Sequence, residues 1–279
     1  MIPALSQLCS LNSPFERDVQ DYAAGGCHAI EVWLTKLETW LKDHSLEDVR
    51  RLMDQHEVSF PVASLQGGLL TSQGSARREH WDHFRRRLQL CQDLQIETLV
   101  VAADITGPVS GQDMDRCRTS LHEAAATAAE MQVGLALEFQ SRATFINNLQ
   151  TAVAVVDDLD HPALGICLDS FHYYTGPSKP DDLALLTATN LRHVQLCDLA
   201  DVPREFAADA QRILPGDGDI PLQPIIGRLG EIGYSRHISL ELMNPQIWQV
   251  PALQFGETGI TALRAALGIS SMGSGINDE

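Results

Sequence analysis

What most constrains this chain is a rhythm. Short apolar runs of six to eight residues recur from end to end, separated by longer amphipathic stretches. The runs read as strands near Ala4–Ser10, Ala29–Leu34, Ser59–Gln66, Thr98–Asp104, Val133–Gln140, Leu164–Phe171, Leu191–Asp198 and His237–Met243. Helical periodicity fills stretches such as Ser45–His56, Ser75–Leu94, Asp113–Met131 and Asn147–Asp158. Strands alternating with helices predict βαβ units and a parallel sheet. Eight such units in about 270 residues is the count of a (β/α)8 barrel. An open doubly wound sheet would carry GxGxxG after an early strand. This chain has none, and its one Gly-rich turn, Pro215-Gly216-Asp217-Gly218, is late and acidic. The expectation is an α/β chain forming a single TIM barrel over residues 1–267, followed by a loose tail, 268–279.

Four strands carry a second signal. Successive strand residues face opposite sides. Leu135 and Leu137 therefore oppose Gly134, Ala136 and Glu138, and Ile166 and Leu168 oppose Gly165, Cys167 and Asp169. Val194 and Leu196 oppose His193, Gln195 and Cys197, while Ile238, Leu240 and Leu242 oppose Ser239 and Glu241. One face is bulky and aliphatic, fit to pack under helices. The other is small or polar and ends in an acid or amide. In a barrel that face points inward, so Glu138, Asp169, Gln195 and Glu241 converge at the C-terminal mouth, where barrel enzymes keep their chemistry.

Three carboxylates in one mouth repel one another unless a cation neutralises them. Their oxygens are hard ligands, which favours Mg²⁺ or Mn²⁺ over a thiolate-loving metal. The alternative, carboxylates paired to an inward Arg or Lys, finds no such residue on these strands; the one inward basic group is His193, a substrate contact or a buried, satisfied histidine. His172, three residues after Asp169, is a candidate orienter, general acid/base or second ligand. Arg204 and Arg212 flank the acidic Gly-rich loop and are candidates to grip a substrate carboxylate or phosphate. Glu31 ends the second strand, either at the substrate or in a buried hydrogen bond. Trp248 is the tryptophan expected to line a pocket; Trp33, Trp40 and Trp81 read as packing residues.

Composition narrows the partners. With 20 basic and 37 acidic residues, the formal charge is −17. Such a chain is repelled by phosphate backbones and anionic membranes. No run approaches the roughly 20 apolar residues that span a bilayer, and the N-terminus lacks the basic region of a signal peptide. Six scattered cysteines without a CxxC fit reduced thiols, and hence a cytoplasmic location. The expected partner is a small molecule, with a homo-oligomer compatible with the sequence.

Five segments in order, Leu-Ala-Leu-Glu-Phe-Gln (135–140), Leu-Asp-Ser-Phe-His (168–172), His-Val-Gln-Leu-Cys-Asp (193–198), Leu-Pro-Gly-Asp-Gly-Asp-Ile (214–220) and Ser-Leu-Glu-Leu (239–242), make the resemblance specific. Together with Ala-Ile-Glu-Val (29–32) they resemble the xylose isomerase-like TIM-barrel superfamily of sugar phosphate isomerases and epimerases. The resemblance implies that Glu138, Asp169 and Glu241 bind a divalent metal and that both glutamates handle protons. The family's usual fourth ligand is a histidine. Here Gln195 stands in its place, as in the related 3-dehydroshikimate dehydratase branch.

Two reactions share such a site. In an isomerase or epimerase, Glu138 and Glu241 pass a proton through an enediolate beside a metal-polarised carbonyl. In a dehydratase, a carbon–oxygen lyase, a base such as His172 takes the α-proton and the β-hydroxyl leaves as water. A non-catalytic binding barrel is opposed by the intact carboxylates. An apurinic endonuclease is opposed by the charge and by the shortage of histidines at the mouth.

Overall fold

A computed structural model describes residues 1–269; residues 270–279 of the expected tail lie outside the described residues. Eight strands run β1 (Ile2–Ser6), β2 (Ala29–Trp33), β3 (Ser59–Gln66), β4 (Thr98–Ala102), β5 (Gly134–Glu138), β6 (Leu164–Asp169), β7 (Leu191–Leu196) and β8 (His237–Leu240). They are all parallel, in sequence order. β8 pairs with β1 from Ile2↔His237 to Leu5↔Leu240, which closes the barrel.

The alternation sorts the layers as expected. Val62, Val100, Ala136 and Cys167 form a small apolar cluster inside the barrel. Leu135, Leu137, Ile166, Leu168, Val194, Leu196, Ile238, Leu240 and Leu242 pack outward in the main core, between sheet and helices. The predicted helices appear at Leu46–His56, Gly74–Asp93, Gly111–Glu130 and Leu149–Leu159. Ser45 and Ser110 start two of them with reciprocal capping boxes, closed by Asp48 and Asp113.

The strands stop sooner than apolar content alone predicts, and side-chain hydrogen bonds account for two of the stops. β1 ends at Ser6, whose hydroxyl accepts from Leu8 N–H and turns Gln7–Ser10 into a 3₁₀ turn. β6 ends at Asp169, whose Oδ1 accepts from Phe171 N–H at 2.7 Å and caps the helix Ser170–Thr175. His172, expected just past the strand, therefore rides on a helix. Cys197, grouped by alternation with His193 and Gln195, lies beyond the end of β7 and packs in the outer core instead.

After β7, Asp198 organises the Gly-rich loop. Its carboxylate accepts from the N–H groups of Leu199, Gly216 and Ile220, each at 2.9 Å. Gly216 turns there with a φ of 97°. At Gly218 a Cβ would sit 2.5 Å from both Asp198 Oδ1 and Leu199 O, so only glycine fits. Asp198 also pairs antiparallel with Ile213, which fixes the backbone of the neighbouring Arg212.

Candidate functional site

Strand ends deliver the acids. Glu138 is the last residue of β5 and Asp169 the last of β6; Glu241 directly follows β8, with its N–H on Leu196 O. All three are buried. The short helix begun by Asp169 places His172 Nε2 3.9 Å from both Glu138 Oε1 and Asp169 Oδ2. Its other nitrogen, Nδ1, lies 3.2 Å from Ser141 Oγ. Glu138, Asp169 and His172 each offer a ligand atom, all within 4.8 Å of one another. Gln140 donates to Glu138 Oε2 at 2.7 Å.

Gln195 ties this group to the barrel floor. Its amide nitrogen donates at 2.8 Å to Glu31 Oε1 and at 2.8 Å to Glu241 Oε1. Two carboxylate acceptors fix that orientation of the amide. The Gln195 oxygen, the atom a metal would require, instead accepts from Cys167 Sγ at 3.2 Å. Glu31 also lies 2.9 Å from His193 Nε2, and both residues are fully buried. Of the two roles open to Glu31 and His193, the structure puts both in a buried hydrogen bond.

A cation does reach the carboxylates, from a loop rather than a strand. Arg212 is 1% exposed. Its Nη1 lies 2.7 Å from Asp169 Oδ2 and 3.2 Å from Glu241 Oε2. Nε and Nη2 donate to Asp209 Oδ1 at 3.0 and 2.7 Å, and the guanidinium carbon sits 4.5 Å above the Phe171 ring. Asp169 Oδ2 has the ion-pair distance to Arg212 but no hydrogen bond of proper direction; it is a buried oxygen without a donor.

The environment moves the proton affinities apart. Burial first, then repulsion from Asp169, pushes Glu138 well above the usual carboxylate range, against the pull of Arg212. Burial does the same to Glu241, again opposed by Arg212. Burial raises Glu31 too, but the attraction and hydrogen bond of His193 outweigh it and leave Glu31 low. His172 is lowered by burial, which favours a neutral imidazole. Such a set can hold a hard cation and exchange protons beside it.

Arg204 lies elsewhere. Its side chain is half exposed, 3.5 Å from Glu205, and lines a largely apolar pocket with Tyr173, Tyr174 and Pro221. Trp248 donates its indole N–H to Leu8 O at 2.8 Å, joining the loops after β8 and β1. Four contributors escaped the sequence reading: Gln140, Ser141, Asp198 and Asp209. Asp198 stood in a quoted motif, where an acid ahead of a Gly-rich turn is the usable signal. Gln140 also stood in a quoted motif, two residues after Glu138 on the same face of the expected strand, although β5 ends at Glu138; Ser141 and Asp209, the latter opening the 3₁₀ turn Asp209–Gln211, carry no periodic signal.

Residues 19–265 match the family described as xylose isomerase-like TIM barrel. An inosose isomerase of Bacillus velezensis is 25% identical over 245 residues, spanning 86% of this chain and 88% of that protein. A 3-dehydroshikimate dehydratase of Pseudomonas aeruginosa is 23% identical over 264 residues, which span 91% of this chain but 40% of that longer protein. Among solved structures, one of the IOLI protein with a bound zinc atom superposes with a TM-score of 0.90 at 24% identity, covering 98% of this chain and 100% of the other.

Proposed function

The chain belongs to the xylose isomerase-like TIM barrel family, and from that premise we propose a divalent-metal-dependent isomerase or epimerase that moves a proton beside the carbonyl of a small polyhydroxy ketone. The observation carrying this reading is the buried convergence of Glu138, Asp169 and His172, with Glu241 joined to Asp169 across Arg212 Nη1. The donor set fits a metal: three carboxylates lie together, and Asp169 Oδ2 is buried without a hydrogen-bond donor. Glu138, Asp169 and Glu241 would hold the ion, with His172 beside them. Hard oxygens suit Mn²⁺ or Mg²⁺, while an imidazole suits zinc equally well, and the IOLI structure carries zinc. When bound, the ion supplies Lewis acidity that polarises a carbonyl and acidifies the neighbouring C–H.

The rest of the chemistry falls to the chain. Glu138 and Glu241 enter the mouth from β5 and from the end of β8, three strands apart, so they can meet a substrate from two sides. One takes the α-proton and the other returns it. Gln195, with its nitrogen on Glu241, positions that carboxylate; to serve as a ligand its amide would have to turn over. Burial keeps water from competing. Relatives named inosose isomerase support the isomerase side of the reading.

One observation favours a lyase as the second reading. His172 is neutral by burial and 3.9 Å from two carboxylates, a good position for the base of a dehydration, and relatives named 3-dehydroshikimate dehydratase exist. The Mn²⁺-loaded protein supplied with inosose, and separately with 3-dehydroshikimate, decides between them. The isomerase reading predicts a new inosose isomer by NMR and no protocatechuate absorbance. A protocatechuate signal would install the lyase, and inertness toward both substrates would count against both.

A further inference from the structure

Arg212 has no task in the proton transfer, yet it is the most deeply engaged cation at the site. The carboxylate oxygens around it divide into two sets. Asp169 Oδ1 is taken by Phe171 N–H, Glu241 Oε1 by Gln195, and Glu138 Oε2 by Gln140. Three oxygens remain to face a metal: Glu138 Oε1, Asp169 Oδ2 and Glu241 Oε2. The last two are the oxygens that Arg212 Nη1 holds, at 2.7 and 3.2 Å. A guanidinium and a divalent ion on the same two oxygens would repel strongly in a buried site.

The loop gives the arginine somewhere to go. Its backbone is pinned, since Ile213 pairs with Asp198 and Asn244 donates to Arg212 O at 3.0 Å. Its outer edge already rests on Asp209, which is 38% exposed in its side chain and three residues upstream. A swing of the side chain alone, keeping Asp209, would release the inner oxygens. Resting on the metal-site reading above, we propose that Arg212 is the internal counter-cation of this centre: a positioning residue that holds Asp169 and Glu241 when no metal is there and withdraws toward Asp209 when a divalent ion binds. Metal affinity and the position of the Arg212 side chain are then coupled, because each cation binds at the other's expense.

Calorimetric titration of the full-length protein with Mn²⁺ tests this. Arg212→Met should bind Mn²⁺ about tenfold tighter or more, since the competitor is gone. Arg212→Lys, which keeps the charge, should stay near wild type. Asp209→Asn removes the one carboxylate left to the displaced arginine, which in the metal-free state still has Asp169 and Glu241, and so should weaken binding several-fold. A gain in affinity is not something structural damage produces. Equal or weaker binding by Arg212→Met, or unchanged binding by Asp209→Asn, overturns the proposal while leaving the metal centre standing. Should Arg212→Met not fold, Asp209→Asn decides alone. Absence of Mn²⁺ binding by wild type and by every variant overturns this proposal and the proposed function together.

Discussion

At the scale of single residues, the site is built from groups whose only free choice is their neighbours. Glu138 is buried, next to Asp169, and reached by Gln140. Replacing it by Gln keeps the shape and one hydrogen bond but removes the carboxylate proposed to accept the proton. Glu138→Gln should therefore lower turnover by about 10²–10⁴, read as initial rate on the accepted ketone. Gly218 is a different kind of single-residue constraint. A methyl group there would press on the Asp198 carboxylate and the Leu199 carbonyl. Gly218→Ala should destabilise the fold by about 1–3 kcal/mol in urea unfolding. Glu138, Asp169 and Glu241 were legible in the sequence because each closes a strand whose alternation fixes its direction. Arg212 was legible only as a candidate clamp, because a loop residue has no period. Its pairing with Asp169 and Glu241 depends on where the Asp198 turn carries the chain.

At the scale of elements, the legible part was the body of each strand and helix, and the illegible part was the ends. Ser45 and Ser110 mark helix starts through side chains that serve the backbone locally. Ser110→Ala should cost about 1 kcal/mol, measured as a lowered urea midpoint. The same local bonding by Ser6 and Asp169 cut strands short where apolar content continued. A second element-scale feature lies between the first barrel helix, Phe15–Ala24, and the helix Leu34–Trp40. There Lys36 Nζ meets Asp18 Oδ2 at 2.6 Å in the interior. Burial, more than Lys36 can offset, lifts Asp18 to about 6, and burial lowers Lys36. Both partners thus report desolvation exceeding attraction. Asp18 is an acid with its folded pKa above the unfolded value. Its contribution is therefore most favourable below about pH 4 and is lost as pH rises toward 6, by up to about 3 kcal/mol. Asp18→Asn should remove that part of the pH dependence, seen by comparing urea midpoints of both proteins at pH 4 and pH 7. An identical pH profile would refute it.

At the scale of the whole molecule, the closed parallel barrel makes the site possible. Residues 31, 138, 169, 195 and 241 are far apart in the chain and meet because closure brings β8 beside β1. Closure was legible from the count of units. The inward polar groups at the mouth were legible as a convergent set, and the metal and proton-transfer chemistry proposed for them rests on that convergence. The charge of −17 is in part local, since three acids gather in one mouth. Among the described residues no helix is long and apolar enough to cross a membrane. A metal that binds only the folded chain should stabilise it: Mn²⁺ at 100 times its dissociation constant adds about 2.7 kcal/mol, which a thermal scan with and without EDTA reads directly. This mouth is proposed to hold a divalent ion and to exchange a proton beside a carbonyl. The most direct test of that proposal is NMR of inosose in D₂O with the Mn²⁺-loaded protein. Deuterium should enter the carbon next to the carbonyl, with the signal lost on adding EDTA and lost in Glu138→Gln. Exchange that persists undiminished in Glu138→Gln, or no exchange above the uncatalysed background, would contradict it.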